Sequence, residues 1–569
     1  MMLVTNTNAE QVAKEIADSP RISIDVEATG LNPWTSKTHR GDKVCGFAVY
    51  NGSKSWYVPT SHSYGANVSP DAAIALVMAT HKVKTWRNHN LPFDVMHLGN
   101  TFGKMHVPEN FEDSMVVLHV FNENEESKAL KRASDKYLGT DSSKDEKELM
   151  NLLKTWGYGK EDMWRMDPSL VAPYAITDTK LAWDLCDTLR SKMDPEEASI
   201  ATEVEEFSRL LTEMMIDGVY VNRDLCQKYH NEAAEKCELL KRAVRSKYGF
   251  DVTSPQSIMG KYGTADSTYE TLMRHAKGKP GVDEVVAYRA WQVARDTYYK
   301  AYLRDFISDD SCIHSNIRVT GTISGRISIR DPAMQALPKR SEEQKVKDII
   351  EAPDGWNIAE LDYSQAEIRL GAHYTKDQEV IKVLADGGDI HQMVADAINE
   401  PRPRAKTINF SIIYGSGAMA LAESLNISLK EAHAILKKYH DRFPGYRLLS
   451  KSAEKVAMER GYIKLWTGRR RHFNTLEAET RKAFSNLIQG GVAEIIRRAM
   501  TRARREIPRD RLRIVLQVHD SLLVYYKDID SLRHLLYIME DNPWCLVPTK
   551  VDVKVGKTWG SAKEMNICR

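Results

Sequence analysis

Residues 356–374 read WNIAELDYSQAEIRLGAHY, a strand-like run that ends at Asp362 followed by a helical pattern that begins near Ser364. One acid therefore stands at a strand's end. Residues 513–527, RIVLQVHDSLLVYYK, read as two apolar strands joined by a tight turn that carries His519 and Asp520. A second acid stands exposed at a hairpin tip. If both stretches belong to one sheet, Asp362 and Asp520 meet and bridge two metal ions, the arrangement that nucleotidyl transfer requires.

Between these stretches lies PRPRAKTINFSIIYGSG, residues 401–417, in which Arg402, Lys406, Phe410 and Tyr414 recur every fourth residue. On an α-helix each such step drifts by about 40°, so the four positions form one stripe about 120° wide. The stripe is basic first and aromatic after. An ordinary amphipathic helix buries a stripe of Leu or Ile and turns its charges the other way. Here two cations suited to the phosphates of a triphosphate line up with two rings that offer flat surfaces to a base.

A second acidic constellation lies nearer the N-terminus. In RISIDVEATG, residues 21–30, Asp25 and Glu27 are two apart on an expected strand and project from one face. Asp94 sits in a helix-like run within NHNLPFDVMHL, four residues after Asn90, and Tyr174 and Asp178 are four apart, hence adjacent, on a helix in PYAITDTKLAWDL. Carboxylates are the hard oxygen ligands that Mg²⁺ prefers, and phosphodiester hydrolysis needs metal to activate water and stabilise the leaving oxygen. Four acids suffice for two ions, and a phenol orients water without ionising. Taken singly each element is ordinary surface chemistry. Their order and context set them apart.

The whole chain of 569 residues is too long for one core and points to several units. Hydrophobic residues at 42% and charged residues at 28% describe a soluble globular protein, and a formal charge of +2 leaves any nucleic-acid partner to be argued from local basic clusters. Seven scattered cysteines without a CxxC pair suggest reduced thiols, and no apolar run reaches the roughly 18 residues of a membrane span. Secretion and membrane insertion are therefore not expected, and the expected location is cytoplasmic. Pro and acidic residues in SKMDPEEAS suggest a linker, placing a first boundary near 195. A mostly helical region follows to about 305, and a helix-dominated stretch from about 376 to 490 lies inside a β-containing frame.

The three segments around Asp25, Asp94 and Asp178 resemble the exonuclease motifs of the DEDD superfamily in its tyrosine-containing branch. The resemblance implies metal ligands at Asp25, Glu27, Asp94 and Asp178 and a water-orienting Tyr174. The stretches around Asp362, Lys406 and Asp520 resemble motifs A, B and C of family A DNA polymerases, and TISGRISIRDPAMQALP, GDIHQMVAD, GYIKLWTGRRRHF and RKAFSNLIQGGVAEIIRRAM fit the same family. The implied fold is multidomain α/β: a ribonuclease H-like 3′–5′ exonuclease domain over 1–195, then a right-hand polymerase domain over 196–569. Thumb is expected over about 196–310, palm over about 311–375 and 490–569, and fingers over about 376–489.

Carried over by position, the resemblance makes Asp362 and Asp520 catalytic metal ligands, helped by the carbonyl of Tyr363. Arg402 and Lys406 would grip the triphosphate near His391 and Gln365, Lys406 would protonate the leaving pyrophosphate, and Phe410 and Tyr414 would stack beside the incoming base pair. Arg326, Gln335, Arg481, Gln489 and His519 would track primer-template DNA. Glu367 would block a sugar's 2′-hydroxyl, which predicts deoxynucleotide use; its spacing from Ser364 also satisfies a helix capping box. Phe410, where some relatives carry tyrosine, predicts discrimination against dideoxynucleotides. Two departures stand out: Ser521 where most relatives carry Glu after His-Asp, and Lys345 where they often carry Arg. The expected cofactors are two Mg²⁺ at each site, with Mn²⁺ as a substitute. The expected partners are DNA, dNTPs and replisome proteins such as a helicase or single-strand binding protein, around a monomer. No 5′ nuclease segment precedes the first acids, and only KGKPGV joins two thumb helices, so primer removal and any clamp-like partner are expected to lie elsewhere. A phage-encoded replicase is the expected setting. The competing reading is a nuclease with a non-catalytic polymerase-like half.

Overall fold

The computed structural model describes residues 2–338, 345–474 and 477–567; Cys568 lies outside them. The first sheet contains β1 (Met2–Leu3), β2 (Arg21–Ala28), β3 (Val44–Tyr50), β4 (Ser55–Pro59), β5 (Thr85–Asn88) and β6 (Asn110–Asp113), in the order β1-β4-β3-β2-β5-β6. β2 runs antiparallel to β3 and parallel to β5. Period-2 alternation decides which side chains face which layer. Ile22, Ile24 and Val26 join the apolar layer of Val12, Ile16, Leu76 and Leu98. Asp25 and Glu27 thereby take the opposite face, where the helix Pro168–Lys192 crosses β2, β3 and β4.

The linker expected near 195 is a two-residue corner. Met193 and Asp194 separate the helix Pro168–Lys192 from the helix Pro195–Asp217. Asp194 accepts a hydrogen bond from the Glu197 amide at 2.9 Å, and the Glu197 carboxylate accepts from the Asp194 amide at 3.2 Å. The Asp-Pro-Glu-Glu sequence is thus a capping box with proline at the first helical position, which fixes the corner. Helices Arg223–Tyr248, Pro255–Tyr262, Tyr269–His275 and Val282–Val293 follow. Two short antiparallel ladders come next, β7 (Val219–Tyr220) with β8 (Cys312–Ile313) and β9 (Asn316–Arg318) with β10 (Ser328–Arg330).

A second sheet begins at β11 (Asn357–Tyr363) and is completed only after a long helical excursion from Ala366 to Arg460 and a small hairpin, β12 (Tyr462–Lys464) and β13 (Arg470–His472). After the helix Ala483–Glu506 come β14 (Leu512–Val518), β15 (Ser521–Tyr526), β16 (Val551–Gly556) and β17 (Lys563–Glu564). The order is β14-β15-β11-β16-β17, antiparallel throughout. One face packs on helices, and Tyr363 donates its hydroxyl to Met539 O in the helix Ile529–Glu540 at 2.8 Å. The other face presents Asp362. No described helix is long and apolar enough to cross a membrane.

Arginines hold the long helices together. Glu203 pairs with Arg497 and Arg498 at 3.0 and 3.1 Å, Glu213 with Arg504 at 2.7 Å, and Asp217 with Arg509 at 2.7 Å. The basic run in the β12–β13 hairpin is spent the same way. Arg469 meets buried Glu494 at 3.2 Å, Arg470 meets Asp194 and Glu197, and Arg471 and His472 meet Glu123 at 2.9 and 3.0 Å. These contacts tie the hairpin to the helices that follow the first sheet.

Candidate active sites and nucleic-acid interface

The register of the second sheet brings the two expected acids together. Asp362 pairs with Ser521 across β11 and β15, and the Tyr363 amide donates to Asp520 O at 3.2 Å. The two-residue turn places His519 at φ 54° and Asp520, half-buried, at the tip. Behind the turn, Gln335 donates to Gln517 O at 3.1 Å and Gln517 donates to His519 O at 3.2 Å. The Gln335 side chain, expected to track DNA, here braces the hairpin. Ser521 is buried and donates its hydroxyl to Val518 O at 3.0 Å.

Glu367 does not cap its helix. Gln365 takes the N-cap position at φ +56° without a side-chain cap bond, so the capping-box reading from Ser364 fails because the chain turns one residue late. Glu367 is instead buried and paired with Arg326 at 2.8 Å. Arg326 also lies 3.9 Å from Asp520. The Tyr414 hydroxyl is pushed up in pKa by burial and by its hydrogen bond to Glu367. Asp520, Arg326, Glu367 and Tyr414 thus form one chain of contacts from the sheet to the helix Arg402–Ile413.

On that helix the predicted stripe faces outward. Arg402, Lys406 and Tyr414 are exposed and Phe410 half-buried, while Ala405, Ile408, Asn409, Ile412 and Ile413 are buried behind them. Phe410 and Tyr414 stack with centroids 6.1 Å apart, and buried His391 lies 5.6 Å from Phe410. Burial, then the nearby Lys406 ammonium, holds His391 below its ordinary pKa. Arg402 bonds Asp389 at 2.5 Å, and Asp389 caps the helix Ile390–Ile398 through the amides of His391 and Gln392. Gln365 Oε1 is buried without a hydrogen-bond partner among the described residues. Arg481 is exposed just before the helix Ala483–Glu506, and Gln489 lies half-buried within it. Lys345 lies over the Tyr229 ring at 5.2 Å, on the helix Arg223–Tyr248.

The first sheet gathers the other set. The Val26 amide donates to Asp94 Oδ1 at 3.0 Å, which fixes Asp94 beside β2, and Asn88 Nδ2 donates to Asp94 Oδ2 at 2.8 Å. Asn88, fully buried, also accepts from the Ile24 amide at 3.0 Å and donates to Ile24 O. Its side chain continues the β2–β5 ladder beyond the Ile22–Trp86 pair. Asp178 pairs with Lys131, which is itself buried. Burial raises the carboxyls of Asp25, Glu27 and Asp94, and in Glu27 and Asp94 the charge of Asp25 adds to it. Tyr174 lies between two lysines: Lys131 Nζ is 4.5 Å from its ring centroid, and Lys160 Nζ donates to its hydroxyl oxygen at 2.9 Å.

Nothing in the sequence marks Asn88, Lys131 or Lys160 as part of the site. Asn88 stands two residues before Asn90, but nothing in its spacing marks a side chain that stands in for backbone. Lys131 and Lys160 lie in unremarkable helical and turn sequence.

Both acid sets offer hard oxygen donors, and in the first site burial raises the carboxyls of Asp25, Glu27 and Asp94 despite the nearby lysines. That donor chemistry fits divalent cations. Among the described residues, no three His, Cys, Asp or Glu side chains are grouped closely enough to hold a metal ion by themselves. Lys131 currently meets part of the charge in the first site.

Comparison with known proteins supplies the family. The profile of DNA polymerase family A matches residues 228–561, and that of a 3′–5′ exonuclease matches residues 1–194. The sequence is 27% identical over 507 residues to DNA polymerase I of Rhizobium leguminosarum, covering 80% of this chain and 49% of that protein. It is 30% identical over 428 residues to the thermostable DNA polymerase I of Thermus thermophilus, covering 68% and 51%. The chain thus spans about half the length of the curated relatives it matches. The fold is similar to that of the POL domain of Pol1 from M. smegmatis, solved in complex with DNA primer-template and dNTP, with a TM-score of 0.80, 22% identity and 99% of both chains covered. The chain belongs to DNA polymerase family A and carries a 3′–5′ exonuclease domain ahead of the polymerase domain.

Proposed function

We propose that the chain extends a primer 3′ end with deoxynucleotides on a DNA template and removes misincorporated ends with its exonuclease, in DNA replication. The observation that carries this reading is the contact chain Asp520–Arg326–Glu367–Tyr414, which sets the sheet acids against the basic-aromatic stripe. Residues 1–195 are the exonuclease unit and 196–569 the polymerase unit, with thumb, palm and fingers as the sequence suggests.

In the polymerase site Asp362, Asp520 and the Tyr363 carbonyl would hold two Mg²⁺, which supply activation of the primer hydroxyl and charge stabilisation of the leaving pyrophosphate. Lys406 and Arg402 bind the triphosphate, and Lys406 gives a proton to the pyrophosphate oxygen as it leaves. For this, Arg402 exchanges Asp389 for phosphate. Phe410 and Tyr414 receive the base pair, and Glu367, fixed by Arg326, closes the space a 2′-hydroxyl would need. In the exonuclease site Asp25, Glu27, Asp94 and Asp178 would hold two further ions, and Tyr174 orients the attacking water. Primer-template DNA, dNTPs and replisome proteins are the partners, in the host cytoplasm.

The test is extension and degradation of a labelled primer on a template with Mg²⁺. Asp362→Ala is expected to stop synthesis and leave digestion, and Asp25→Ala to do the reverse. If both variants still extend and still degrade, the assignments are wrong. Digestion without synthesis by the wild-type chain would favour a nuclease with an inactive polymerase half.

A further inference from the structure

The surroundings of Tyr174 contain a group that neither site reading uses. Lys160 begins a short helical turn, Lys160–Arg165, that packs beside β2 and β3, and its ammonium reaches the Tyr174 hydroxyl at 2.9 Å and Glu146 Oε1 at 3.3 Å. Glu146, from the helix Ser142–Thr155, lies 3.4 Å from the same hydroxyl. Lys131 covers the phenol ring from another helix, Leu130–Leu138, and pairs with Asp178. The tyrosine is thus held by its oxygen and by its ring, from two separate elements.

A phenol has one proton to give and lone pairs to receive one. An ammonium can only donate, so the bond from Lys160 occupies a lone pair of the Tyr174 oxygen. What remains is the proton. We propose that Lys160 is a positioning residue of the exonuclease: by donating to Tyr174 it makes the phenol a hydrogen-bond donor toward the attacking oxygen and fixes the direction of that bond. The inference rests on the exonuclease reading above.

The reaction it serves is ordinary phosphodiester hydrolysis. The water oxygen forms a bond to phosphorus and gives up its proton to solvent, the bond from phosphorus to the 3′-oxygen of the preceding nucleotide breaks, and that oxygen takes a proton from solvent. Negative charge builds on the attacking side before the bond is complete. A donor already aimed there stabilises it, and a phenol free to rotate would spend part of its time accepting from the water instead. In the free protein Glu146 is the acceptor within reach of the Tyr174 proton, so the water has a carboxylate competitor that Lys160 also holds in place.

The test is steady-state digestion of a single-stranded oligonucleotide by the full chain, with primer extension as the check on folding. Lys160→Met is expected to lower kcat about 10- to 100-fold, the loss of one charge-assisted hydrogen bond, with KM unchanged. Lys160→Arg keeps a cationic donor and is expected to recover most of the rate. The decisive measurement is the cycle with Tyr174→Phe: the double variant should be no slower than Tyr174→Phe alone, because Lys160 acts only through the phenol. Additive losses, an effect confined to KM, or an unchanged kcat in Lys160→Met would overturn the proposal; a KM effect would make Lys160 a phosphate contact. Oligonucleotide binding, read by fluorescence anisotropy on an Asp25→Ala background, is expected not to change with Lys160→Met, and a loss of affinity there would also count against it. The underlying reading fails separately, if the wild-type chain shows no digestion that Asp25→Ala abolishes.

Discussion

Replacing Asn88 with alanine tests whether one buried amide holds the exonuclease acids in place. Its side chain has no exposed surface and makes three bonds: it accepts from the Ile24 amide at 3.0 Å, donates to Ile24 O, and donates to Asp94 Oδ2 at 2.8 Å. Alanine leaves a backbone donor, a backbone acceptor and a carboxylate oxygen without those partners, at about 1–3 kcal/mol each where water cannot enter. We expect a loss of about 3–6 kcal/mol in the stability of the unit built on the first sheet, allowing for partial hydration. That is a large share of the roughly 5–15 kcal/mol by which a domain is stable. Asp94 also loses one of the two bonds that fix its oxygens, and a shift of about 1 Å in a catalytic group costs about 100-fold in rate. The assays are urea unfolding, single-strand digestion and primer extension on the same preparation. Digestion should fall about 100-fold and extension should persist, because Asp362 and Asp520 lie in the other sheet. Asn88→Asp keeps the shape but sets a second carboxyl against Asp94, and should be no better. Unfolding within about 1 kcal/mol of wild type, together with digestion within twofold, would refute the reasoning.

Glu367→Ala should raise ribonucleotide incorporation by at least tenfold relative to deoxynucleotides, measured by primer extension with each set alone, while leaving Arg326 without its partner at 2.8 Å. Unaltered discrimination would remove Glu367 from sugar selection. Glu494 is buried, and although burial pushes its carboxyl up, Arg497 and Arg469 more than offset this and hold it at about 2. Against an ordinary value of about 4.5 this corresponds to about 3 kcal/mol, present above pH 4.5 and lost as pH falls from there toward 2. Glu494→Gln should therefore lose about 3 kcal/mol in urea unfolding at pH 7, with the difference from wild type shrinking below about pH 4.5. A difference that stays constant down to pH 3 would show that packing, not charge, is responsible.

The elements whose pattern was strong were legible residue by residue. The hairpin around Asp520, the strand ending near Asp362 and the outward stripe of the helix Arg402–Ile413 all follow from period and turn signals that need no tertiary information. The expectation that failed, a capping box from Ser364 to Glu367, depended on the exact residue at which a helix begins. Here the chain turns at Gln365, and Glu367 goes to Arg326, 41 positions back in sequence. Gln335 bonds to Gln517, 182 positions away, a contact that its own sequence does not signal. The contacts of Asn88, Lys131 and Lys160 are of the same kind. Asn88 reaches Ile24, 64 positions back, Lys131 reaches Asp178 on another helix, and Lys160 reaches Tyr174, 14 positions on; neither composition nor spacing carries that information.

Charge shows the difference most clearly. The run Arg469–Arg470–Arg471–His472 is basic throughout, yet the structure gives each of these residues a protein carboxylate: Glu494, Asp194 with Glu197, and Glu123 twice. Arg497, Arg498 and Arg504 of the helix Ala483–Glu506 are committed likewise to Glu203 and Glu213. Two of these carboxylates, Glu123 and Glu494, are almost fully buried, so the pairs contribute to the joint between units and cannot be lent to DNA without leaving a charge stranded. Arg402 differs in kind. Its partner Asp389 is exposed and already satisfied by two backbone amides, so giving up the ion pair leaves nothing buried unpaired. A surface pair of this sort is worth about 0–1 kcal/mol, far less than a guanidinium gains on a triphosphate. On the proposed reading of Arg402 as a triphosphate contact, what sets it apart from the hairpin arginines is the exposure of its carboxylate partner, a property that the basic residues themselves do not reveal.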